Sequence, residues 1–339
     1  MYFFVTLISN LYFDIEIREL DTPSRFIAVI PIFLYFRTVD FDIKAITNGL
    51  ILVSLLVGIN SILIYLEYYD INVDHKHFGA YSLYSGIFGI TLLFIINNKC
   101  SISRKILLLI ASFFAIYTAL IYGGRGAWVG SIITFLTLFL INPSKYTKAK
   151  KLFALISVFS VVFLSFISND SYLESKIRST LSEISLYQDG KVSGSVGSRL
   201  ELWRSSLKIS KENIISGIGK NNFHDENIKR INNGDIDNSI KEFSHPHNEF
   251  LARLVEFGLF GLIATILLLL FPLIFSFFSL IRDSKNSEIV IFLFVLSGHY
   301  FFYAFSNATF AHQSMAIFYA FYIALALGIY SKQKNNDTN

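Results

Sequence analysis

Nine runs of apolar residues, parted by short polar joints and one long polar stretch, lay out this 339-residue chain. Read with a window of about 19 residues, they fall near 24–36, 45–66, 79–96, 106–122, 127–141, 152–168, 250–281, 289–305 and 313–330. Runs of this length and apolarity predict helices that cross a bilayer. The expected fold class is therefore an all-α polytopic membrane protein with about nine transmembrane helices. Residues 1–13 are apolar but too short to span, and they lack the basic n-region and small-residue cleavage site of a signal peptide. They read as the tail of a helix that begins before this sequence.

The long polar stretch, 169–248, carries helical periodicity of its own. Leu173, Ile177, Leu181 and Ile184 recur at helical spacing, as do Leu200, Trp203 and Leu207. Between these two predicted amphipathic helices, residues 188–198 are rich in Gly and Ser and predict a mobile joint. Ser198 followed by Glu201 has the spacing of a capping box, which would start the second helix at Arg199. Arg199 would then sit beside the free amides of a helix N-terminus, a favourable place for an anion. Three segments follow: 1–168 with the first helices, 169–248 as one large helical loop, and 249–339 with the last helices and a short tail.

Composition agrees with the pattern. The chain is 53% hydrophobic, 16% aromatic and 16% charged, with a mean hydropathy of +0.52, outside the range of ordinary soluble domains. Its net charge of +4 falls in short clusters between apolar runs, so nucleic acid is not an expected partner. One side collects Arg37 and Lys44, then Lys99, Arg104 and Lys105, then Lys145, Lys148, Lys150 and Lys151, then Arg282 and Lys285, and finally Lys332 and Lys334. The other side holds only Arg18, Arg25, Lys76 and Arg125 in its short joints. The asymmetry puts the first set and the C-terminus in the cytoplasm and residues 169–248 outside. The single cysteine, Cys100, excludes an internal disulfide and a cysteine metal cluster.

Polar chemistry concentrates at the outer ends of the apolar runs. Ser244, His245, Pro246, His247, Asn248, Glu249 and Phe250 lead straight into the seventh run. Pro246 keeps His245 out of helical geometry, so a helix is expected to begin near His247 with Asn248 and Glu249 in its first turn. Titratable groups gathered in this way are site candidates, with His247 as proton acceptor. The plainer view of a lone His247 is a packed or surface histidine. Gly123, Gly124, Arg125, Gly126, Ala127 and Trp128 join two runs with almost no loop. Arg125 there is either an interfacial arginine that snorkels beside an aromatic belt or an anion ligand that flanking glycines let a substrate approach. Arg199 and Arg204 flank Trp203 as either a solvated basic face or a phosphate grip. Arg25 either binds an anion or simply pairs with Asp21. Arg253 and Glu256 are expected to neutralise one another. Asp235 and Asp237 form a weak acidic pair without a nucleotide-binding fold around it, and 216–219 (Ser-Gly-Ile-Gly) reads as a turn. His75, His77, His299 and His312 lack carboxylate or cysteine partners at ligand spacing, so no metal site is expected.

Four stretches jointly resemble the O-antigen ligase and O-antigen polymerase superfamily: Asp21 to Arg25 (D-T-P-S-R), Gly124 to Trp128 (G-R-G-A-W), Gly197 to Trp203 (G-S-R-L-E-L-W) and His245 to Phe250 (H-P-H-N-E-F), followed by Glu256, Gly258 and Gly261. The resemblance implies a GT-C-like helical bundle in the bacterial inner membrane, with its active site facing the periplasm. It implies inverting transfer of a glycan from undecaprenyl diphosphate to a sugar hydroxyl of lipid A-core, without cofactor or metal. Arg125, Arg199 and Arg25 would bind the diphosphate and His247 would be catalytic, supported by His245, Asn248, Glu249 and Arg204. The partners it implies are the lipid-linked donor, the lipid A-core acceptor and membrane lipids. The alternatives are an O-antigen polymerase, a protein O-oligosaccharyltransferase and, outside enzymes, a transporter of lipid-linked glycans. The transporter fits less well, because the candidate charges sit at outer helix ends and not near the bilayer midplane.

Overall fold

A computed structural model describes residues 1–66, 101–121, 130, 133–134, 136–138, 140, 172–282 and 288–338. Arg125, the G-R-G-A-W stretch, His75, His77, Cys100 and the runs near 79–96 and 152–168 lie outside the described residues, as does most of the run near 127–141. Among the described residues the chain is built from α-helices, 3-10 turns and joints, with no strand. In order the helices are α1 (Tyr2–Tyr12), α2 (Asp21–Ala28), α3 (Ile30–Thr38), α4 (Ile43–Tyr65), α5 (Ile102–Ile121), α6 (Tyr172–Gln188), α7 (Gly194–Glu212), α8 (Phe223–Asn232), α9 (Glu249–Arg282), α10 (Glu288–Tyr303) and α11 (Gln313–Thr338). Among the described residues three helical stretches are long and apolar enough to cross a membrane: Lys44–Leu63, Glu249–Arg282 and Gln313–Asn336.

The run near 24–36 is not one helix. It divides into α2 and α3 at Val29, with Pro31 in the first turn of α3. Proline lacks the amide that would continue α2 and its ring clashes with the carbonyl four residues back, so the break falls just ahead of it.

The chain forms two compact units, each assembled from separated segments. The first takes Met1–Ala28, Ser165–Phe271 and Ala304–Ile317. Its core gathers Leu202 and Ile209 of α7, Phe223 of α8, Ile236, Ile240 and Val255 of α9, with Trp203 packed at the margin. The buried face of α7 thus differs from the expected stripe, for Leu207 is exposed while Ser205, Ser206 and Ser210 are buried. Small serines whose hydroxyls bond inward, Ser206 to the Leu202 carbonyl and Ser205 to Asn227 of α8, allow close approach that a count of apolar residues misses. The second unit takes Val29–Leu164, Pro272–Tyr303 and Phe318–Asn339. There α4 and α5 pack through Ile51, Leu108 and Ala111, and Gly58 leaves room for Phe114.

Within the first unit, α9 is interrupted at Gly258, whose φ of 64° and ψ of −156° leave the helical region. The break frees backbone groups that residues 214–219 take up: Ile218 and Gly219 donate to the carbonyls of Val255 (2.9 Å) and Glu256 (3.0 Å), and Leu259 donates to Ile214 (2.8 Å). Contact is backbone to backbone. A Cβ at Gly217, which has φ +67°, would lie 2.5 Å from the Glu256 carbonyl. Gly217→Ala should therefore destabilise the protein by about 1–3 kcal/mol, seen as a lowered thermal midpoint in detergent. An unchanged midpoint would show that this interlock is not tight.

Candidate functional site

The H-P-H-N-E-F stretch turns sharply before α9 begins at Glu249. His247 adopts φ +50°, the left-handed region that an L residue enters at a cost and mostly where its surroundings impose it. Those surroundings bracket it on both sides. Ahead of it, the indole N–H of Trp203 donates to the Pro246 carbonyl at 3.1 Å. Behind it, Asn248 caps α9: its side-chain oxygen accepts from the Leu251 amide at 3.1 Å, and its side-chain NH2 donates to the Phe305 carbonyl at 3.3 Å. A cap of this type satisfies an amide that the helix itself leaves open. The helix thus starts two residues after His247, whose ring lies edge-on to His245 at 4.3 Å between centroids.

Beneath the turn lies a buried ionic network. Glu249 is 0% exposed and Arg253 3%. The Glu249 carboxylate accepts from Arg253 at 2.7 Å and from the Phe310 amide at 2.9 Å, while its own amide donates to the Ala304 carbonyl at 2.8 Å. Arg253 also donates to Glu256 at 2.5 Å and lies over the rings of Tyr2 and Phe257. Tyr2, Phe26 and Phe310 close the network with edge-on ring contacts. Sequence spacing read Arg253 and Glu256 as a neutralising pair, and the pair is there, but Glu249 makes it a triad. Nothing local in the sequence ties Phe310 and Tyr2 to it. The available signal was the 4-then-3 spacing of Glu249, Arg253 and Glu256 inside an apolar run, where charge marks a special position.

The D-T-P-S-R helix α2 joins the same unit. Asp21 pairs with Arg25 at 2.7 Å and accepts from Gln313 at 2.9 Å, and Phe26 touches Phe310. Arg199 stands one helical turn before Trp203 on α7, hence on the face that meets Pro246. It does not start its helix, however. The helix begins at Gly194, Ser198 bonds back to the Gly194 carbonyl, and no capping box forms. Glu183 of α6 takes the capping role instead by accepting from the Val196 amide at 2.8 Å. This tie also shortens the expected joint to residues 189–193.

Glu201, fully buried, is occupied by the Tyr187 hydroxyl (3.0 Å), Arg204 (3.2 Å) and the Asp237 amide (3.0 Å). Burial, and next the bond to Glu201, raise the Tyr187 hydroxyl to about 12, so it stays a donor. Arg204 is thereby turned to Glu201. Asp237 caps the 3-10 turn Asn238–Ile240 through Ser239.

The structure thus gathers three of the four sequence stretches, those of Arg25, Arg199 and His247, in one unit, while the fourth lies outside the described residues. Residues 110–266 match the O-antigen ligase family. Just under half of the chain is thus similar to that family. A Haemophilus influenzae protein described as uncharacterized is similar to it, 27% identical over 330 residues, or 94% of this chain and 81% of that protein. The ligase domain and the long apolar helices together support a membrane glycosyltransferase of the ligase or polymerase type. The match includes Arg199, Trp203, His247 and Gly258, whereas α2 precedes it.

Two substitutions separate the supports of the ligase-family turn. Glu249→Ala strands the buried Arg253 charge and should cost about 3–5 kcal/mol. Trp203→Phe keeps a ring in the core and loses one neutral hydrogen bond, about 1 kcal/mol. Thermal unfolding in detergent checks the order, and a reversed order would place the main support of the turn at Trp203.

Proposed function

We propose that the protein is an O-antigen ligase: it transfers a glycan from undecaprenyl diphosphate to a sugar hydroxyl of lipid A-core, with inversion, at the periplasmic face of the bacterial inner membrane. The observation that carries this reading is the strained His247, held between the Trp203 tether on Arg199's helix and the buried Glu249–Arg253 network. An imidazole fixed next to a guanidinium-bearing helix face suits a reaction whose donor is a diphosphate ester and whose nucleophile is a hydroxyl. In the proposed layout residues 169–248 are the periplasmic loop, 1–168 and 249–339 supply about nine spans, and membrane lipids surround them.

The chemistry follows from the groups. His247 takes the proton of the acceptor hydroxyl as the new bond to the anomeric carbon forms. The bond from that carbon to the diphosphate oxygen breaks, and the negative charge departs with undecaprenyl diphosphate. Arg199 and Arg125 hold that charge. Arg25 is engaged by Asp21, so its share in binding requires that pair to open. Guanidinium groups keep their charge at any accessible pH and present a planar fork matched to phosphate oxygens, with each charge-assisted bond worth about 1.5–3 kcal/mol. A positioned base adds about a hundredfold to ten-thousandfold in rate, and a histidine with an unperturbed pKa near 6.5 suits neutral pH. His245, Asn248, Glu249 and Arg204 act on the geometry of the site.

His247→Ala should abolish attachment of polymer to lipopolysaccharide while the protein still inserts in the membrane, and normal ladders on gels would refute the role. Arg199→Lys should fail nearly as badly as Arg199→Ala, because lysine cannot form the fork; full activity in the lysine variant would mean that charge alone suffices. Deletion of the gene distinguishes the acceptor. Unattached lipid-linked polymer is expected, whereas single repeat units on the core would make the enzyme a polymerase.

A further inference from the structure

From the loop between α7 and α8 we infer a lipid-interface anchor: Ile214 and Ile215 insert into the boundary between headgroups and acyl chains, and so fix the depth at which α7 meets the bilayer. Both side chains are turned out, Ile214 at 46% and Ile215 at 68% exposure, on a loop where polar residues are otherwise the rule. They are not isolated. Leu259, Phe260, Ile263, Leu267 and Phe271 are exposed along α9 at steps of one, three and four residues, a lipid-facing stripe on a helix apolar enough to span. The loop joins this stripe at its outer end, since the Leu259 amide donates to the Ile214 carbonyl at 2.8 Å and Gly258 lies directly against Ile215.

Depth agrees. Beyond the Gly258 break α9 continues from 259 to 282, with Pro272 inside it, a run somewhat longer than the ~20 residues that cross a hydrocarbon core. The break and the attached loop therefore fall at the edge of that core. The backbone supplies the independent observation. Non-helical backbone near lipid is tolerated only where its polar groups are satisfied by protein. Here the stem of the loop is satisfied, since the amides of Asn213, Gly217, Ile218 and Gly219 and the carbonyl of Ile214 have backbone partners and the Asn213 side chain bonds the Ile209 carbonyl, which places its tip at 214–216 in the hydrated headgroup boundary and not in the hydrocarbon. The occupant of the patch is then lipid, continuous with the α9 stripe, and it holds the C-terminal end of α7, the helix that carries Arg199 and Trp203, at the bilayer surface.

The inference is tested without any assay of transfer. In a Cys100→Ser background, nitroxide labels are placed singly at Ile215→Cys, Leu267→Cys and Asn238→Cys, all exposed positions, and the protein is reconstituted in lipid nanodiscs. Power saturation then compares access by oxygen, which concentrates in lipid, with access by a water-soluble nickel chelate. The ratio at Ile215 should be several-fold above that at Asn238 and approach that at Leu267. A ratio at Ile215 equal to that at Asn238 would overturn the anchor. Because no substrate is involved, that outcome leaves the reading of His247 and Arg199 standing, just as an inactive His247 variant says nothing about the anchor.

Discussion

A carboxylate without solvent holds the candidate site together. Glu249 has no water to fall back on, so each of its oxygens needs a partner, and the two it has, Arg253 and the Phe310 amide, come from opposite directions. One is along its own helix and the other is across the turn that follows α10. The start of α9 is consequently locked to residues 304–310, and the backbone just before it must take whatever path remains. That path puts His247 in the left-handed region. Burying such a network is expensive relative to apolar packing, which favours a role in defining geometry over one in raising stability.

The parts of this arrangement that arise from neighbours in sequence were legible in the residues alone. Helices at 43–65, 102–121, 249–282 and 288–303 follow the apolar runs closely, since a bilayer-length apolar run has few other folds open to it. The helix after Pro246 begins at Glu249, two residues beyond the start expected near His247, with Asn248 as its cap and not in its first turn. Other features depend on distant groups and left no local trace. The capping box at Ser198 was outcompeted by Glu183, a carboxylate fifteen residues earlier brought in by the fold. The inward face of α7 is set by buried serines, of which Ser205 bonds across to Asn227 of α8 while Ser206 and Ser210 bond within α7, and the partners of Glu249 include an amide 61 residues away. The break at Gly258 likewise appears only when the loop at 214–219 is laid against it.

Two contacts join the polar helical segment to a helix long and apolar enough to cross a membrane. The Trp203 tether joins α7 to the histidine turn, and the backbone interlock at Gly217 and Gly258 joins the end of α7 to a helix suited to the membrane. An arginine-bearing helix and an imidazole are thereby referred to one frame. Such a frame needs neither element to be long-lived on its own, because each is satisfied by the other.

The central claim is that the carrier's diphosphate sits between Arg199 and His247. A cryo-EM structure of the protein in nanodiscs with undecaprenyl diphosphate measures this directly. The account predicts phosphate density within hydrogen-bonding reach of the Arg199 guanidinium, with the His247 ring facing the terminal phosphate. Headgroup density remote from both side chains, or a His247 turned away from it, would contradict the account.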